Sequence, residues 1–396
     1  MSQWTRKPPP VNELEKYRDR LVALSHRIYG TPELGFEEHN AASWLCELLS
    51  EGGLDVKSGV CDLPTAFIAR AGSGPLHIAI CAEYDCLPEI GHACGHNIIA
   101  AMAAGAGIAA AQFADDLGLT VSVIGTPAEE VGDNCGKLII LERGAFEGVH
   151  AAMMVHPAPM DTVEPAIIAL STFDVHYRGK EAHASAFPEM GINAADALTI
   201  AQNAIGLLRQ HIRQSDRIHG IITNGGAAPN IVPAHTSARY MVRARNLGEL
   251  AEVRAKVVRC FEAGALATGA QLEVRGGDKP YAEMIHDHDL AQLYQRNAET
   301  LGRTFVQIPG MQRVAASTDM GNISLAIPSI HPLIGIISLP AANHQPEFTA
   351  HCITPVGDRA VSDGAIAMAW TLVDIAGHEI LKDRLSSRTA GGELAS

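Results

Sequence analysis

Aromatic residues make up only 5% of this 396-residue chain, so its interior has to be built from alanine, valine, isoleucine and leucine. Positive charge is also in short supply. The 30 Lys and Arg against 44 Asp and Glu leave a net charge of −14. That argues against nucleic acid or an anionic membrane as partner. It does not argue against a small anionic substrate, which needs one or two local arginines. No cysteine pair has Cys-x-x-Cys spacing. The eight (Cys46, Cys61, Cys81, Cys86, Cys94, Cys135, Cys260 and Cys352) are scattered, the usage of a reduced, cytoplasmic protein rather than of a disulfide framework. No apolar run reaches the roughly 20 residues that span a bilayer. The most apolar one, residues 98–111, reads as a buried helix. The first twenty residues are polar, contain Pro8, Pro9 and Pro10, and lack the apolar segment of a secretory signal.

Hydrophobic content of 47% and charged content of 19% describe a globular chain with a sizeable interior, and its length predicts two domains. Apolar spacing predicts helices over residues 12–29 and 37–51, the second stopped by Gly52 and Gly53. Strand-like runs at 66–69, 76–81, 119–124 and 151–155 then alternate with helical segments at 98–115 and 135–141, the pattern of an α/β domain. From residue 171 the texture changes. A strand at 172–177, a helix at 191–212, strands at 218–223 and 236–244, a helix at 247–268 and a strand at 271–274 give the order β-α-β-β-α-β, which is ferredoxin-like. The expectation is a discontinuous α/β domain, residues 11–169 plus 281–380, interrupted by an α+β domain over 170–280 of about 110 residues. Residues 381–396 are small and polar and are expected to form a disordered tail.

The chemistry concentrates where strands end. Gly91-His92-Ala93-Cys94-Gly95-His96-Asn97 sets imidazole and thiol donors between the acidic turn Glu83-Tyr84-Asp85 and the apolar helix. Open α/β sheets bind ligands at such strand-to-helix junctions, and clustered N and S donors suit zinc. Glu129 and Glu130 follow the strand at 119–124, so that one can hold a metal while the other acts as general base. His156 ends the run at 151–155, and His344 lies in a late polar loop. Each feature alone has an ordinary reading: a helix start with an incidental His, a solvated acidic turn, a hydrogen-bonded structural His. Together, Cys94, His96, Glu130, His156 and His344 exceed the four ligands of a structural zinc site and suit two metals sharing a bridge.

The ordered phrases H-A-C-G-H-N, P-A-E-E, V-H-P, G-K-x-A-H-A-S, P-N-I-V-P, S-T-D-M-G-N and N-H-x-P resemble those of the aminoacylase / acetylornithine deacetylase / carboxypeptidase family of co-catalytic metallopeptidases. Within it the chain is similar to the branch with a Cys ligand, which holds aminobenzoyl-glutamate hydrolases, amino-acid-conjugate amidohydrolases and β-alanyl-lysine-type dipeptidases. The resemblance runs from about residue 17 to 370. It implies a mixed-sheet catalytic domain with an inserted ferredoxin-like dimerisation or lid domain. It further implies two divalent metal ions per subunit (zinc, with manganese, cobalt or nickel as options) and hydrolysis of amide bonds in small N-acyl amino acids or dipeptides.

Carried over by matching position, Cys94 is the bridging ligand and His96, Glu130, His156 and His344 complete the two sites. Glu129 is the base toward a metal-bridging water, and Asp85 orients a ligand imidazole. His183 is offered by the inserted domain of a second subunit to stabilise the oxyanion, which makes the working enzyme at least a homodimer. Asn230 and Arg243 hold polar groups of the substrate, and Gly321 and Asn322 lie on a pocket-lining loop. Asn230 also reads as a turn cap, and Arg243 as an ordinary exposed residue on a strand. His92, His219 and His331 receive no direct role. The rival readings are a binding protein that kept the fold without turnover, and a structural or redox Cys/His cluster.

Overall fold

The computed structural model describes residues 9–306 and 316–387. In chain order the elements are α1 (Pro9–Tyr29), α2 (His39–Glu51), β1 (Asp55–Ser58), β2 (Phe67–Ala71), β3 (Leu76–Ala82), α3 (His96–Ala111), β4 (Leu119–Gly125), α4 (Gly136–Glu142), β5 (Ala151–Met153) and β6 (His156–Ala158). Next come β7 (Ala169–Arg178), α5 (Ala194–Leu208), β8 (Arg217–Asn224), β9 (His235–Ala244), α6 (Leu247–Thr268) and β10 (Gln271–Gly276). The chain continues with α7 (His288–Thr300), α8 (Met320–Ala326), β11 (Ser329–Ile330), β12 (Leu333–Gly335), α9 (Pro346–His351), α10 (Pro355–Gly377) and α11 (Glu379–Ser386).

Six strands in the order β1-β2-β4-β3-β5-β11 form a mixed sheet. β3, β4, β5 and β11 run parallel, while β1 and β2 run antiparallel at one edge. The parallel strands are almost continuously buried (β4 at every position) because helices cover them. α3 lies between the sheet and the helices α1 and α10. It is buried almost all round and has no polar face. Its alanines and glycines let the layers close: a Cβ at Gly107 would overlap Val123 of the sheet, and one at Gly105 would stand 2.9 Å from Ala365 of α10. Among the described residues α10 is the one helix long and apolar enough to cross a bilayer, but 72% of its apolar window is buried against the rest of the protein. It is a core helix.

The elements from β7 to β10 build a second, four-stranded antiparallel sheet in the order β10-β7-β9-β8. That is the ferredoxin-like arrangement, with α5 and α6 packed on one face. β7 alternates as its sequence requires: Phe173, Val175 and Tyr177 are buried with Tyr240 and Phe261 in a core separate from that of the six-stranded sheet. α6 is bounded by the Asn246 side chain, which accepts the N–H of Glu249, and by Gly269 at φ +77°. The chain returns to the first sheet through Tyr281, which packs with Cys135, Leu138 and Leu170.

Two expectations need correction. The strand expected over 151–155 ends at Met153: β5 stays in the large sheet, and beyond the run His156 opens β6, which pairs with β12 in a two-stranded ribbon. The tail starts later than residue 381, because Glu379–Ser386 is helical. Leu381 and Leu385 are buried there, and Arg384 forms a bidentate pair with Asp287 at 2.7 and 2.8 Å. Residues 388–396 of the expected tail lie outside the described residues.

Candidate metal centre and active site

Three parallel strands of the large sheet deliver functional side chains just past their carboxyl ends, where such sheets bind ligands. Glu83 and Asp85 follow β3, Glu129 and Glu130 follow β4, and His156 follows β5. Cys94 and His96 flank Gly95, the left-handed residue (φ +79°) at the start of α3. A side chain there would meet Pro157 at 2.9 Å, so glycine both makes the turn and lets the His156 loop approach.

Cys94 stands at the centre. Its Sγ lies 3.5 Å from His156 Nε2 and 3.5 Å from His344 Nε2. Two triads of donors share it: Cys94 with His96 and His156, and Cys94 with Glu130 and His344. The structure therefore brings together all five residues expected as ligands, with the thiol common to both groups. The imidazoles are already oriented. His96 Nδ1 faces Asp85 Oδ1 at 2.8 Å, and His156 Nδ1 donates to the Pro157 carbonyl at 2.8 Å. In the neutral rings both contacts leave Nε2 as the free electron pair. His96 Nε2 and Glu130 Oε1 are buried and have no hydrogen-bond partner. Orphaned acceptors in a dry interior are costly. One thiol, three imidazoles and a carboxylate converging on them fit two divalent transition metals sharing the sulfur.

Burial and like charge govern how these groups titrate. Burial and then Glu130 push the Cys94 thiol well above its ordinary range, and a cation would release that proton on binding. Burial, followed by the charges of Glu83 and Glu130, pushes Glu129 up strongly. Burial lowers His156 to about 4, keeping it the neutral donor a metal requires.

The loop bearing Glu129 is held from both sides. Ala128 sits at φ +57°, and its N–H donates to the buried carboxylate of Glu38 at 2.7 Å. The Tyr281 hydroxyl donates to the Glu129 carbonyl and accepts the N–H of Gly132 at 3.0 Å. His344 likewise sits at φ +68°, with its N–H on the Ala93 carbonyl at 2.9 Å. Strain of this kind persists where the surroundings over-determine it, and it clusters at functional sites.

The remaining expected residues are placed differently. His183 is exposed on the inserted sheet's side. Its Nδ1 accepts the N–H groups of Ser185 and Ala186 at 3.3 and 3.2 Å, so Nε2 carries the proton as an outward donor. Asn230 stands beside it, its carbonyl accepting the N–H of Ala184 at 3.0 Å. Among the described residues no hydrogen bond or ion pair joins either to the donor cluster. Arg243 is half-buried on β9 and donates to Ser317 Oγ at 2.8 Å. Its guanidinium is lowered by burial, against the pull of Glu129. Gly321 and Asn322 contact the return linker. Asn322 Oδ1 accepts the N–H of Ala282 at 3.0 Å and its Nδ2 donates to Pro280 at 3.2 Å, while a Cβ at Gly321 would overlap the Ala282 carbonyl.

Sequence reasoning missed the buried charges beneath the cluster. Lys137 has no exposed surface, and its Nζ contacts Glu83 Oε1 and Asp319 Oδ1. His331, buried with neither ring nitrogen partnered, stacks on His156 with centroids 5.5 Å apart. Asn343 reaches Cys94 Sγ at 3.9 Å and the Pro157 carbonyl at 3.1 Å. The lysine inside Gly-Lys-Leu-Ile-Ile reads as solvated in the sequence.

A mixed α/β sheet with a dinuclear donor set at its strand ends defines a metal-dependent hydrolase of the co-catalytic type. The chain belongs to Peptidase family M20/M25/M40, whose profile matches residues 80–356. It is 36% identical over 383 residues to the Xaa-Arg dipeptidase of Mus musculus, covering 92% of this chain and 88% of that one. It is 32% identical over 283 residues to one of the subunits of p-aminobenzoyl-glutamate hydrolase from Escherichia coli (strain K12), covering 66% of this chain and 58% of that one. Its fold is similar to that of a dinuclear metal-binding peptidase of the M20 family from Bacillus subtilis, with a TM-score of 0.65 at 23% identity over 91% of this chain and 99% of that one. The chain is an enzyme that hydrolyses amide bonds in dipeptides or acyl amino acids. The reading as a binding protein without turnover is set aside.

Proposed function

We propose that this protein is a zinc-dependent dipeptidase, cytoplasmic and homodimeric, acting on small dipeptides with a basic C-terminal residue. The observation that carries the metal assignment is the sharing of Cys94 by two donor triads. The substrate class is supported by the Xaa-Arg dipeptidases of mouse and human, each 36% identical to this chain. Thiolate and imidazole donors favour zinc over harder cations, and eight free cysteines suit a reducing compartment.

Cys94, His96 and His156 hold one cation, and Cys94, Glu130 and His344 the other. When bound, the two cations supply Lewis acidity that polarises the amide carbonyl and acidifies the attacking water. Glu129 takes the proton from that water and later returns it to the departing nitrogen. Asp85 keeps the His96 ring in place. Arg243 grips the substrate carboxylate with its planar fork. His183 donates its Nε2–H to the developing oxyanion. It comes from a second subunit, through pairing of the β8 edges of two inserted sheets. Support for that edge comes from its exposure: Ile221 and Ile222 are 66% and 50% exposed on a terminal strand, an edge that natural proteins cover.

Metal analysis of the purified protein, run beside a hydrolysis panel, tests this. The panel holds basic dipeptides, neutral dipeptides, N-acetyl amino acids and aminobenzoyl-glutamate. Two zinc ions per chain and turnover concentrated on the basic dipeptides are expected. Turnover confined to another class would overturn the substrate assignment, and a metal-free active enzyme would overturn the mechanism.

A further inference from the structure

Glu83 directly follows β3 and is fully buried. Its two oxygens have different surroundings. Oε1 accepts from Lys137 Nζ. Lys137 is held rigidly in turn: its Nζ donates to Asp319 Oδ1 at 2.5 Å, and its backbone N–H to Asp319 Oδ2 at 3.2 Å. A buried ammonium persists when it is paired in this way, and here one ammonium serves two carboxylates. Oε2 of Glu83 has no hydrogen-bond partner. It points at His96 Nε2, 3.4 Å away, which also has none.

His96 gives its Nδ1 proton to Asp85, so two electron pairs face each other in a dry interior. That contact is repulsive unless a proton or a metal cation lies between the two atoms. Glu83, His96 and Glu129 each present a ligand atom within 4.8 Å of the other two.

We propose that Glu83 is a further donor of the metal centre on the His96 side, and that Lys137 and Asp319 form the brace that aims it. The assignment rests on the dinuclear reading of the same site. Lys137 is a positioning residue, because it touches Glu83 and not the cation. The brace also accounts for the charge balance: without Lys137, the carboxylates of Glu83, Glu129, Glu130 and Asp319 would share the site with no fixed positive charge beneath them.

The test is reconstitution of the full-length protein with cobalt(II) alone, read by chelator-competition titration and by visible absorption. Glu83→Gln is expected to weaken one of the two cobalt sites by about tenfold or more and to change its ligand-field spectrum. Lys137→Met should give the same spectral change with Glu83 still present, which a purely structural salt bridge would not do. Glu83→Asp keeps the charge and the partner but withdraws the oxygen. It is expected to weaken the same site, and it carries the measurement if the Gln variant does not fold. Wild-type affinities and spectra in folded Glu83→Gln and Glu83→Asp would overturn the assignment while leaving the dinuclear centre standing. A wild-type chain that takes up no cobalt would overturn both.

Discussion

Asp85 and His96 are joined at 2.8 Å through Oδ1 and Nδ1, while the other oxygen of the same carboxylate accepts the N–H of Glu130 at 2.9 Å. One side chain thus orients a donor from each triad, coupling the β3 and β4 strand ends. Asp85→Asn would turn one of these acceptors into a donor facing an N–H or an imidazole N–H. Metal affinity is expected to fall by about 10- to 100-fold with the circular dichroism spectrum unchanged. A chelator-competition titration checks this, and unchanged affinity would show that packing alone orients His96.

Glu129 belongs to neither of the two triads built on Cys94, yet its loop is clamped by Glu38 and Tyr281. A proton carrier beside the cations can be removed without emptying the site. Glu129→Gln is therefore expected to lower kcat by about 10²- to 10⁴-fold while zinc content stays at the wild-type level. Steady-state hydrolysis paired with metal analysis separates this from a ligand role, in which zinc would be lost together with turnover.

Glu38 carries a pH dependence of stability. Burial, and then the charge of Asp85, raise its carboxyl from 4.5 to about 7. The folded protein holds this proton more tightly than the unfolded chain does. Folding therefore takes up protons between pH 4.5 and 7, and this group's contribution falls as pH rises through that window. A shift of that size corresponds to roughly 3 kcal/mol above pH 7. Glu38→Gln keeps an acceptor for the Ala128 N–H and removes the charge. It should be more stable than wild type at pH 8 and nearly equal at pH 4.5, as read by denaturant unfolding at the two pH values. Parallel curves at both would show that Glu38 stays ionised in the fold.

The metal donors are legible in the sequence because their residue types are unusual and their places are regular. Cys94, His96, Glu130 and His156 each follow an apolar run short enough to be a strand, and parallel strands align such positions at one edge. α6 is equally readable, since Asn246 and Gly269 punctuate an amphipathic stretch at both ends. Glu83, Lys137 and Asp319 are not legible. Their pairing joins residues 54 and 182 positions apart, and a lysine in a short helix reads as solvated until burial is known. The contacts of Asn322 are not legible either, since its amide bonds the backbone of the return linker, a use that only the tertiary contacts disclose.

His183 and Glu129 provide the decisive test of assembly. His183 has its outward Nε2–H fixed by two backbone donors on Nδ1, and it sits in the loop between β7 and α5 of the inserted domain rather than at the donor cluster. If each active site takes Glu129 from one chain and His183 from its partner, then Glu129→Gln and His183→Ala disable sites in a complementary way. Either variant alone is expected to be nearly inactive, each by about 10²-fold or more. A mixed dimer holds one site with both lesions and one with neither. Co-expression of the two variants should therefore restore an easily measured fraction of wild-type turnover. Restoration requires subunit exchange, so it should vanish when the two proteins are made separately and combined without unfolding. If both residues came from the same chain, every site in the mixed dimer would keep a lesion and no mixture would recover activity.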